Sequence, residues 1–246
     1  MPFLDHLEEL RWRLLRVGLA VIVGSFIGYF LIRRFDVIGL LMIPIEPYLT
    51  TGRLVFTRPT DAFLITLKLS VLTGAILAFP VILWQAWGFL SPALYEHEKR
   101  HIVPSTIAGL GLFMAGAWMA YLWILPAAVR ILLSPRFLGN SLEPFITAGE
   151  YFSFATQVIV AFGLVFELPL IMVLLATLGL VSPQFFARNR QYAVVLGAMI
   201  AAFVTPPDIF SMLMMMAPII VLYEVGIAIG KVIWKRRHRQ SIGEPA

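Results

Sequence analysis

The chain has 246 residues, 60% of them hydrophobic and 13% charged, with a mean hydropathy of +0.88 and a formal net charge of +5. Soluble domains carry about 25% charged residues, and a soluble fold of this size must cover its surface with polar groups. The composition sets aside a soluble enzyme and a nucleic-acid binder and defines an integral membrane protein, in which basic charge reports topology and attraction to anionic lipid.

The chain starts Met1-Pro-Phe-Leu-Asp-His-Leu-Glu-Glu-Leu10, with acids where a cleavable signal needs a basic region, so the first apolar stretch is expected to be retained. A membrane-crossing helix needs about 20 apolar residues. Charge-free runs at 17–32, 69–95 and 102–129 give the first three spans. The run 151–187 contains one charge, Glu167, and holds the fourth. Residues 191–207 make the fifth, and residues 209–230, interrupted only by Glu224, the sixth. The expected fold is an all-α integral membrane protein, because barrel strands would need alternating polarity. It divides into one six-span membrane domain, residues 1–231, and a short basic tail, residues 232–246.

Punctuation refines this outline. Ser91-Pro92, Ser134-Pro135 and Ser182-Pro183 each offer a capping serine with proline at the first helical position, so each loop is expected to carry a small surface helix. Thr205-Pro206-Pro207-Asp208 predicts a tight turn joining the last two helices, both expected to be short. At 1.5 Å per residue the fifth run reaches only about 25 Å. The second and third runs are too long and must tilt, kink or project, with Pro80 and Pro126 the expected kink points. Helices of such unequal length predict a cup rather than a sealed cylinder. No internal repeat is present, which counts against inverted-repeat transporters.

With six spans, both termini share one side. That side holds twelve Lys and Arg residues against six on the other, with Lys68 at a boundary, so both termini are expected in the cytoplasm. The signal is weak at the first span, where Arg33 and Arg34 lie on the external side.

An ionisable group inside the membrane is a functional candidate by default. Glu167, about the middle of span four, could bond to a neighbouring helix, face a water-filled dent, or serve partner binding or transport. Pro169 frees a carbonyl near residue 165, so a local kink could present Glu167 to a cavity. Glu224, nearer the cytoplasmic end of span six with Lys231 two turns on, is either a snorkelling structural acid or a functional one. As relay groups the two acids would suit a proton-coupled small-molecule carrier. Glu9 and Arg13 are spaced for a helix i, i+4 pair. Glu9 and Glu98 also share a predicted membrane face, where two carboxylates could hold paired guanidinium groups bidentately. With no cysteine, thiolate catalysis and Cys-based metal sites are absent. None of His6, His97, His101 and His238 lies mid-membrane with a carboxylate at ligand spacing, and neither hydrolase nor phosphate-loop motifs occur. No metal, cofactor or enzymatic activity is expected. Gly24/Gly28 and Gly226/Gly230 are small-x-x-x-small faces for close helix packing.

In order, His6-Leu-Glu-Glu-Leu-Arg-Trp-Arg-Leu14, Phe89-x-x-Pro-Ala-Leu-Tyr-x-x-Glu98-Lys-Arg, Phe162-Gly-x-x-Phe-Glu167-x-Pro and Thr205-Pro-Pro-Asp208 resemble the TatC family, the multispanning core of the twin-arginine protein translocase. The resemblance runs from about residue 4 to residue 231. It implies a concave, glove-like bundle of six helices in the cytoplasmic (inner) membrane. It also implies a receptor for signal peptides with consecutive arginines, exporting folded proteins on the proton-motive force without nucleotide. By the resemblance Glu9 and Glu98 bind the signal's arginines, with Arg11, Arg13 and Phe89 shaping the site. Pro44 and Asp208 match activity-linked positions. Glu167 matches a polar residue on the concave face, where single-span TatA- and TatB-type partners assemble; the bilayer and other copies of the chain are further expected partners. Glu8, beside Glu9, and the short basic tail depart from the family pattern.

Overall fold

A computed structural model describes residues 3–49, 53–90, 102–133, 145–204 and 209–242. The described residues are almost entirely helical: α1 (Phe3–Arg34), α2 (Val37–Met42), α3 (Asp61–Leu90), α4 (Ile102–Met119), α5 (Leu125–Leu132), α6 (Ala148–Val165), α7 (Leu168–Thr177), α8 (Pro183–Arg188), α9 (Arg190–Val204) and α10 (Ile209–Ile242). They make six crossings: α1, α3, α4 with α5, α6 with α7, α9 and α10. Five are long and apolar enough to span a bilayer, and α9, at 15 residues, is the short one. α1 begins and α10 finishes at one end of the bundle, the near end, opposite the far end.

The sixth helix differs from its expected short length. It runs for 34 residues, of which 212–235 form the apolar span. Its basic segment consists largely of good helix formers, so nothing stops the helix where the hydrocarbon ends. The proline expectations divide. A π-helical turn at Ala120–Ile124 sits just before Pro126, where the ladder must give way. At Pro80, by contrast, α3 continues through the ring. Ser182 caps α8 through Phe185 N at 3.3 Å, as its Ser-Pro pair predicts; the other two such pairs and the Thr205–Asp208 turn lie outside the described residues.

Small residues decide how the helices meet. A Cβ on Gly24 would stand 2.5 Å from Gly74 O, and one on Gly28 would stand 2.7 Å from Ser70 O, so α1 and α3 pack backbone to backbone. Gly226 similarly brings α10 onto Pro169 and Met172 of α7. The largest buried cluster occupies the far half of the bundle, around Leu69, Leu125, Phe152, Val158 and Phe162. There the link after α1 is tied down by Tyr121 Oη donating to Leu40 O (2.8 Å) and Tyr151 Oη donating to Leu41 O (2.5 Å). Elsewhere large apolar side chains face outward along α1 and α9, as lipid contact requires.

Candidate functional site

At the near end, one turn of α1 faces α3. Glu9 and Arg13 lie on the same side of α1, and Arg13 Nε and Nη2 both donate to Glu9 Oε1, at 3.0 and 2.5 Å. Arg13 Nη1 also donates to Gln85 Oε1 on α3 at 3.3 Å. The guanidinium lies directly over Gly88, the one side-chain-free position in the last turns of α3. Both charged side chains are mostly withdrawn from the surface, at 28% exposure for Glu9 and 20% for Arg13. A half-buried carboxylate with a guanidinium already seated on it results, and such a charge-assisted contact is stronger than a wet surface pair. Phe89, which follows Gly88 in the chain, is half-buried.

The remaining expected site residues are distributed differently. Arg11, two positions from both Glu9 and Arg13, is exposed on another face of α1. Glu98 and Asp208 lie outside the described residues. Pro44 belongs to the far end, where it lines a cavity of about 640 Å³ together with Tyr48, Tyr121, Trp123 and Arg130. Gln85 and Gly88 escaped the sequence reading. The signal available was a lone amide side chain in the charge-free run 69–95, and only the approach of α1 gives it meaning.

Glu167 sits at the break between α6 and α7. Phe166 N still bonds to Phe162 O, while Glu167 N turns to Leu164 O at 3.1 Å and Pro169 offers no donor, so the expected kink is present. The kink does not expose the carboxyl group, whose residue is only 6% exposed. A Cβ on Gly109 of α4 would stand 3.0 Å from Glu167 Oε2, and Oε1 is buried without a hydrogen-bond partner among the described residues. Glu224 has a different environment. Arg190, the first residue of α9, donates Nε and Nη2 to Oε1 and Oε2 of Glu224 at 2.5 and 2.8 Å. This fork-to-fork pair fastens the start of short α9 to α10, and Tyr223 Oη, donating to Phe186 O at 2.9 Å, ties α8 to α10.

Six apolar helices, close-packed through small residues and bearing a paired acid at one end and a buried acid inside, define a multi-pass helical membrane protein. Its relatives narrow this further. The family profile described as Sec-independent protein translocase protein (TatC) matches residues 5–218. Sec-independent protein translocase protein TatC of Carboxydothermus hydrogenoformans is 39% identical over 95% of this chain and 94% of its own length. TatC of Aquifex aeolicus is 36% identical over 96% of this chain and 98% of its own. A crystal structure described as Twin Arginine Translocase Receptor-TatC superposes with a TM-score of 0.82 at 36% identity, covering 92% of this chain and 98% of that one. The chain belongs to the TatC family of Sec-independent protein translocases. It is a translocase component and not a catalytic enzyme.

Proposed function

We propose that this chain is the signal-peptide receptor of its translocase, taking leaders with consecutive arginines and serving as the core of a machine that exports folded proteins across the cytoplasmic membrane. The observation that supports this reading is the half-buried Glu9 carboxylate, which already holds the guanidinium of Arg13. A leader arginine would join or displace that resident cation, and Glu98 would take the second arginine. The excess of Lys and Arg on the side of the near end supports a cytoplasmic position for it and for both termini. Glu167, buried against α4, would engage single-span TatA- and TatB-type partners, while Pro44 and Asp208 would act at the external face. The proton-motive force is the energy source in this reading. Further copies of the chain complete the assembly.

The carrier alternative lacks support, because Glu224 is committed to Arg190 rather than placed to relay protons from Glu167. The test is photo-crosslinking of a twin-arginine leader to a probe at Phe89 in membranes containing the full chain. Crosslinking that requires the arginine pair and is lost in Glu9→Gln and Glu98→Gln is expected. Equal crosslinking of a leader with both arginines replaced by glutamine would overturn the receptor reading.

A further inference from the structure

On the far half of the α1–α3 face lies a groove of about 940 Å³ that the recognition of a leader does not use. Ser25, Ser70 and Ile32 line its inner part, and Phe26, Phe30 and Phe63 stand at its edges with about two-thirds of each residue exposed. Three of its four hydroxyls are already committed: Ser25 Oγ donates to Val21 O, Thr66 Oγ1 to Ala62 O and Ser70 Oγ to Thr66 O. Apart from the Tyr29 hydroxyl, what remains for a ligand there is mainly hydrocarbon surface. At the far-end rim the chemistry changes. Arg33 lines the groove with its guanidinium 5.6 Å from the centre of the Tyr29 ring, and Arg34 follows it. The nearby acid, Asp36, turns its carboxylate onto Gly39 N at 3.2 Å, where it caps α2.

We propose that this groove binds one anionic phospholipid of the far-end leaflet, its acyl chain along the aromatic walls and its phosphate on Arg33. The combination of an apolar trough with a cationic rim matches an amphiphile carrying a negative head. It also accounts for an arginine pair on the side that the charge balance makes external, where the topology rule disfavours it. A pair that only complemented the end of helix α1 would need no groove and would show no preference among lipids.

The proposal does not depend on the receptor reading. The full chain, purified and reconstituted in nanodiscs of equal phosphatidylglycerol and phosphatidylethanolamine, is examined by native mass spectrometry for retained lipid. Preferential retention of phosphatidylglycerol is expected, weakened about five- to tenfold by Arg33→Gln and unchanged by Arg58→Gln, an exposed arginine outside the groove. A photoactivatable phosphatidylglycerol is expected to label α1 and the first turns of α3. Equal retention of the two lipids, or indifference to Arg33→Gln, would sink the idea. The chain has no cysteine, so Phe30→Cys alone reports proximity. If that variant forms a disulfide-linked dimer in native membranes, a second copy covers the groove and the lipid assignment fails.

Discussion

Arg13 rests both Nε and Nη2 on a single carboxylate oxygen of Glu9 and extends Nη1 to Gln85 on the neighbouring helix. A local α1 pair is thereby joined to α3. Removing the acid strands a half-buried guanidinium and removes the proposed anchor for an incoming one. Glu9→Gln is expected to weaken leader binding by about 1–3 kcal/mol, intermediate between a wet and a desolvated pair. Titration of a labelled twin-arginine peptide against reconstituted protein checks this, and the variant's salt dependence is expected to flatten.

Gly88 matters because the guanidinium of Arg13 occupies the space of a side chain. Gly88→Ala must push Arg13 off its seat without changing any charge. Leader affinity is expected to change while the melting temperature stays near that of the parent. An unaltered affinity would show that the position of Arg13 is irrelevant to recognition.

The α1–α3 contact is set by backbone approach. A Cβ on Gly74 would collide with the Ser25 backbone, so Gly74→Leu is expected to destabilise the bundle by about 1–3 kcal/mol or more. Thermal unfolding in detergent, or accumulation in membranes, reads this directly.

At the far end, Tyr151 is 4% exposed and its hydroxyl satisfies Leu41 O. Tyr151→Phe leaves that carbonyl without its donor and is expected to remove about 1–3 kcal/mol. Increased protease access to the α1–α3 connection in the variant would confirm that this bond holds the connection in place.

Glu167 is the reverse case. A buried carboxyl oxygen without a partner among the described residues opposes stability, so Glu167→Leu is expected to raise the melting temperature. Loss of export in that more stable variant would assign the acid to function. Retained export would leave it no role in assembly with single-span partners.

The linear chain determined the class, the number of crossings, the short fifth helix and the break near Glu167. Each follows from local properties: the length of a charge-free run, or a proline that cannot donate. It also contained Glu9 and Arg13 at a spacing that only a helix brings together. It did not contain the partners that its charged groups find on other helices. Gln85 meets Arg13, and Arg190 meets Glu224, only because antiparallel helices bring residues 72 and 34 positions apart within hydrogen-bond range. The burial of Glu167 was also a tertiary decision. Its kink was local, but Gly109, which lets α4 close over the carboxyl group, lies on another helix. Helix existence is written in nearest neighbours along the chain, whereas the environment of each acid is written in which small residues allow two backbones to touch.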